Sequence, residues 1–169
     1  MSRHSRRGSA LAEFAFAGVP IIFTILSVME VSRGMWTSST LSYAVKEATR
    51  MAIVHGANCA TPPNACAITV GTIARRVADS SQGLLTSQMS VTLLSTGDGV
   101  TIRCNPLSAC LNNGSVWPAY PGNTPGSDIL ITASYPFQSP MGLFFSAFGN
   151  STFGITTKLP ASSRERIEF

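Results

Sequence analysis

Charge is in short supply in this sequence of 169 residues. Asp, Glu, Lys and Arg together make up 12% of it, against about 25% in an ordinary soluble domain. The shortage is local, because residues 14–29 carry no charge at all. Histidine occurs twice, as His4 and His55, and no second ligand or base is spaced usefully around His55. There is no G-x-S-x-G. The stretch "GTIARR" lacks a phosphate-loop pattern and reads as a solvated face carrying Arg75 and Arg76. Asp79 and Asp98 stand alone in turn-like contexts. With no constellation of acid, base and nucleophile, the sequence assigns no catalytic residue and no cofactor. No internal repeat is evident.

The net charge of +4 does not mark a nucleic-acid binder. Three of its cations, Arg3, Arg6 and Arg7, precede Gly8, and without them a single net positive charge remains. The others are scattered, with no basic stripe interleaved with aromatics. Basic residues just ahead of an apolar run set membrane orientation instead, with Lys and Arg on the cytoplasmic side.

Four cysteines fall into two close pairs, Cys59 with Cys66 and Cys104 with Cys110. Neither pair has C-x2-C or C-x4-C spacing and no histidine follows at a ligand interval, so no metal site is assigned. An even count in a non-cytoplasmic segment points to disulfides. Three connectivities are open. The two local ones close the shortest loops at the lowest entropic cost, pinning "CATPPNAC" and "CNPLSAC".

What the chain does have is one long helical pattern. Leu11 to Met29 is a run of 19 residues, and a bilayer span needs about 20. Then Val31, Met35, Ser38, Leu41, Val45, Ala48 and Ala52 recur at three- and four-residue steps, an amphipathic period. Gly56 supplies a stop. One helix follows, on the order of 70 Å long. Pro20 removes one donor from it. The domain that the helix carries is expected against residues 31–56.

Beyond the loop 57–66, Val70, Ile73, Ala74 and Val77 share one face of a short helix. Met89, Val91 and Leu93 alternate with Ser90 and Thr92, and Gly97-Asp98-Gly99 turns the chain into a hairpin. Residues 105–127, with four prolines, read as an irregular loop. Residues 128–137 read as a strand. The apolar "PMGLFFSAFG" is a helical turn over the sheet or a loop that touches a partner. "STFGITTKLP" reads as the last strand and 161–169 as a polar tail. Of Trp36, Trp117, Tyr120, Phe137, Phe144, Phe145 and Phe148, most are assigned to the core. The fold class is α+β, with a long N-terminal helix and one short extra helix covering a small antiparallel sheet. The first half of the long helix is transmembrane and the second amphipathic.

Glu13 is the anomaly. An acid at the centre of a bilayer costs about 3 kcal/mol on insertion scales. A cleaved signal peptide does not explain it, since "SVMEVSR" offers no small-residue cut site and the helical period runs on unbroken. A plain signal anchor fits the charges but leaves the acid without a purpose. A cut between Gly8 and Ser9 would create an α-ammonium at Ser9, with Glu13 as the fifth residue, one helical turn away. In a stack of such helices the acid of one subunit meets the amine of another, and its own helix dipole favours the carboxylate.

"RRG" followed by "SALAEF" resembles the prepilins cut by an aspartate prepilin peptidase, and Phe14 after the acid resembles the Flp/Tad branch. The stretch from Gly8 to Ala52 is similar to TadE-like pseudopilins, with Glu30 and Arg33 near the end of the apolar helix and "AVKEATRMA" carrying Glu47 and Arg50. The resemblance implies a pilin-like fold and a minor pilin or pseudopilin of a tight-adherence (Flp) pilus, acting in pilus assembly and surface adherence without chemistry of its own. It implies a leader 1–8, cut between Gly8 and Ser9, and an assembly half 9–30 in which Glu13 and Phe14 carry the contact. Glu30 and Arg33 mark the membrane boundary, 31–56 is the amphipathic half, and 57–160 is a periplasmic α+β domain. The implied partners are the prepilin peptidase, other Tad pilins and the inner-membrane assembly platform. The implied location is the bacterial inner membrane, single-pass, before incorporation into an extracellular pilus. The alternative is a signal-anchored periplasmic binding protein that never polymerises.

Overall fold

A computed structural model of the chain describes residues 5–59, 68–140 and 156–168. Its elements run α1 (Ser5–Ile53), α2 (Val70–Ser80), β1 (Ser90–Ser95), β2 (Thr101–Cys104), a 3-10 turn (Leu107–Cys110), β3 (Asp128–Gln138) and β4 (Thr156–Arg166). Residues 36–137 with 156–169 form one compact unit, and residues 1–35 with 138–155 form another.

In the first of these units the sheet is antiparallel, in the order β2-β1-β3-β4. The register follows from which side chains must be covered. Val91 lies opposite Ala133, Leu93 opposite Ile131 and Ser95 opposite Ile129, and all six are buried. A slip of one residue would turn all of them to water. Ser95 is the polar member of this face, and its hydroxyl donates to the Gly122 carbonyl at 3.3 Å. The hairpin β1–β2 pairs Val91 with Cys104 and Leu94 with Thr101.

The C-terminal half of α1 covers the sheet. Its buried stripe is Thr37, Leu41, Ala44, Val45, Ala48, Thr49 and Ala52. Small residues let the helix approach closely, and buried Thr49 satisfies its hydroxyl on the Val45 carbonyl at 2.8 Å. Two members of the expected stripe fall outside it: Val31 is 61% and Met35 67% exposed, so packing begins at Thr37 rather than at residue 31. The spacing was right, but a period cannot say where along a helix its cover starts.

Helix α2 buries Val70, Ile73, Ala74 and Val77 as their spacing requires. Thr69 caps it, accepting from the Thr72 N–H at 3.2 Å. Its first turn lies against the loop 111–113. Gly71 donates to the Asn113 carbonyl at 2.8 Å, and a Cβ there would come within 2.8 Å of the same oxygen. Only glycine permits that approach.

Two sequence assignments change. The last strand continues to Arg166, through most of the segment read as a polar tail. Its inward positions are sparse, but Ala161 and Ile167 are buried, and the Ile167 N–H donates to the Ser127 carbonyl at 2.9 Å. Among the aromatics, Trp117 is buried, whereas Trp36 and Tyr120 are exposed and Phe137 is half-buried. Phe144, Phe145 and Phe148 lie outside the described residues, as does most of "PMGLFFSAFG".

Cys104 and Cys110 form a disulfide that closes a short loop in the core, beside buried Leu107. Cys59 is also disulfide-bonded. Cys66 lies outside the described residues.

Candidate functional site

The surface of α1 between residues 12 and 35 reverses the usual arrangement of a soluble helix. Eleven large apolar side chains there are exposed, among them Phe14, Phe16, Ile21, Ile22, Ile25, Val28 and Met29. Further along the same helix, Leu41, Val45 and a set of alanines and threonines are the buried residues. An apolar surrounding would stabilise each large side chain by about 1.5–3 kcal/mol when fully covered, and so this segment by on the order of 10 kcal/mol or more. That outweighs the penalty of about 3 kcal/mol for a single acid such as Glu13. Helix α1 is long and apolar enough to cross a membrane. Its most apolar 18-residue window has a mean hydropathy of 2.0, and none of that window is buried.

The polar groups of this segment are turned inward on the helix itself. Thr24 donates to the Pro20 carbonyl, Ser27 to Phe23 and Ser32 to Val28, each at 2.8 Å. Hydroxyls satisfied four residues back need no water, which suits a helix in hydrocarbon. Pro20 sits inside the helix without ending it. Only one intrahelical donor is lost, so an otherwise regular helix continues past it.

The ionisable groups lie at the two ends of the uncharged run. Glu13 and Phe14 are exposed on the helix surface. Gly8 and Ser9 lie within the first two turns of α1. At the other end Glu30 is half-buried, and the Arg33 guanidinium donates to the Gln138 carbonyl at the end of β3. From Glu13 to Arg33 is 20 residues, or about 30 Å of helix, which matches the hydrocarbon thickness of about 30 Å. The structure therefore separates Glu13 and Phe14 from Glu30 and Arg33 by one bilayer length. It does not bring them together.

Two charge clusters escaped the sequence reading. The Arg76 guanidinium on α2 pairs with the Glu47 carboxylate on α1, and Arg75 donates to Asn112 Oδ1 at 3.1 Å. Both arginines are exposed, but neither is merely solvated. On the sheet, Asp128 of β3 is gripped by two arginines of β4. Arg166 Nε lies 3.0 Å from Oδ1 and Arg164 Nη2 lies 2.8 Å from Oδ2. Hydrogen bonds from Arg166 and then Arg164 hold the Asp128 carboxyl below its usual value. Reading 161–169 as a tail hid this contact, because the two arginines flank Asp128 only when they alternate on a strand.

An open groove of about 570 Å³ runs between α1 and α2, lined by Trp36, Tyr43, Glu47, Arg76 and Asp79 among others. Among the described residues no three His, Cys, Asp or Glu side chains come together in a way that could hold a metal ion.

The family model described as TadE-like protein matches residues 8–50. Over this segment the chain is similar to the TadE-like family. The match begins at Gly8 and ends one helical turn before the end of α1, so it takes in the whole uncovered surface and most of the buried stripe. The TadE-like segment stops short of the sheet, and every strand lies beyond it. No curated protein and no solved structure matches the chain.

Proposed function

We propose that the chain is a minor pilin-like subunit of a tight-adherence pilus, held by α1 in the bacterial inner membrane with its α+β unit on the periplasmic side, and then drawn into the filament. It serves assembly and adherence and performs no chemistry. The observation that carries this reading is the uncovered apolar surface of residues 12–35 inside a TadE-like segment. That surface needs lipid first and the helices of other subunits afterwards.

In this reading a prepilin peptidase cuts between Gly8 and Ser9. Gly8 and Ser9 are the fourth and fifth described residues of α1. Glycine there costs about 1 kcal/mol of helix stability relative to alanine, so the segment unwinds locally with little penalty. The α-ammonium created at Ser9 meets the Glu13 carboxylate of a neighbouring subunit. Phe14 packs beside it, and the acid's cost in hydrocarbon is offset only in the assembled state. Glu30 and Arg33 mark the periplasmic boundary. The partners are the peptidase, the other pilins and the membrane platform that assembles them.

The intact mass of the mature polypeptide tests this directly. A chain beginning at Ser9 supports it, and a chain that retains residues 1–8 refutes the processing step. A retained leader would favour the alternative of a signal-anchored protein that never polymerises.

A further inference from the structure

Trp36 is an exposed aromatic of α1 that directly follows the uncovered residues 12–35. It is 51% exposed, although Thr37 and Leu41 beside it on the helix are buried. The indole is nonetheless held in place. Its six-membered ring lies over Gly83, where a Cβ would come within 2.7 Å of Cη2. Gly83 has a φ of +80°, which a residue with a side chain adopts only under strain. The platform under the ring thus requires glycine twice, for its conformation and for its flatness. The Trp36 indole N–H, by contrast, is at an exposed side chain and makes no hydrogen bond to the described residues. One edge of the ring is fixed to the protein and its donor is left for something outside.

We propose that this outside group is the headgroup layer of a lipid leaflet, and that Trp36 sets the depth of α1 in the bilayer. The inference rests on the membrane reading given above and adds to it the residue that fixes the register. Indole rings favour this layer because an apolar body and a polar donor meet two phases at once. Position along the helix selects Trp36 over its neighbours. It lies three residues, about 4.5 Å, beyond Arg33. A headgroup layer is about 5–7 Å deep on each side of the hydrocarbon. Tyr43 is also exposed but stands about 15 Å beyond Arg33, clear of the lipid, and Glu47, paired with Arg76, stands about 21 Å beyond it. Lipid therefore reaches Trp36 and stops. The Gly83 contact makes the anchor rigid, since it ties the indole to the loop after α2 as well as to α1.

The test is fluorescence of the full chain in phosphatidylcholine vesicles carrying bromine either just below the ester groups or near the chain ends, with vesicle flotation on the same samples. The sequence has two tryptophans, so Trp117→Phe isolates Trp36. If that core variant does not fold, the difference between wild type and Trp36→Phe gives the same signal. Flotation with strong loss of Trp36 emission to the shallow bromine and little to the deep one is the expected result. Flotation with no quenching, or with the deeper bromine quenching more, overturns the anchor and leaves the membrane reading standing. Failure of the chain to float overturns the membrane reading, and the anchor with it.

Discussion

The two halves of α1 are one continuous helix with opposite surfaces. From residue 37 onward the covered positions are Leu41, Val45 and a set of alanines and threonines. Before residue 36 the larger and more apolar side chains, Phe14, Phe16, Ile21, Ile22 and Ile25, are the uncovered ones. In a protein stable in water the more apolar half would be the covered half. The inversion fits the proposed placement of the first half in an apolar phase, while the second packs on the sheet. Hydropathy ranks the two halves correctly, but only the structure shows that cover and hydropathy run in opposite directions.

The largest effect should come from setting the two halves against each other by truncation. Leu41→Ala should destabilise the folded unit by about 2–5 kcal/mol, as large-to-small core changes do. Ile22→Ala, at an exposed side chain outside the buried core, should leave unfolding in detergent unchanged. Denaturant titration of both variants checks this, and equal losses would break the comparison.

Glu13 tests the uncovered half by itself. Glu13→Ala should ease insertion by up to about 3 kcal/mol, so membrane fractionation should not fall. Co-purification with pilus components should drop markedly, because the contact for the new amine is gone. Normal incorporation would remove the role assigned to this acid.

The covered half is further sharpened by its crosslink. Cys104→Ser with Cys110→Ser should cost about 2 kcal/mol, typical of a disulfide closing a short loop. Calorimetry should show this as a lower melting temperature of the folded unit, with membrane association unaltered.

The smallest effects belong to the surface charges. Glu47→Gln should cost less than about 1 kcal/mol, since its partner Arg76 is well exposed. The Asp128 carboxyl is held below its usual value by Arg166 and Arg164. Its contribution is therefore fully present above the ordinary carboxylate range and is lost as pH falls below about 4. Melting of the wild type over that range should decline slightly more steeply than that of Asp128→Asn.

Much of this fold was legible because period and burial agree wherever an element has one covered face. Val91 and Leu93, or Ile73 and Val77, could be placed by spacing alone. Strand β4 was not legible in full, because "ASSRER" has almost no apolar alternation. It is held by an edge pairing, by Ala161 and by the grip of its arginines on Asp128, and that last contact depends on a residue 36 positions away. The start of the helix–sheet contact was missed for a similar reason. Val31 and Met35 continue the period but are exposed. Of the candidate site, the apolar run could be read directly, and the roles of Glu13, Glu30 and Arg33 belong to the proposed function. Trp36 belongs to a set of aromatics most of which read as core, and nothing in the sequence reveals that its ring lies over Gly83 at the surface.

The central claim is that residues 12–35 are surrounded by an apolar phase in the native protein and that the chain from residue 37 onward is not. A photoactivatable probe dissolved in the membrane hydrocarbon, followed by peptide mapping of the labelled chain, measures this directly. Labelling confined to residues 12–35 is the predicted result. Label absent from that segment, or spread equally over it and residues 37–53, would contradict the account.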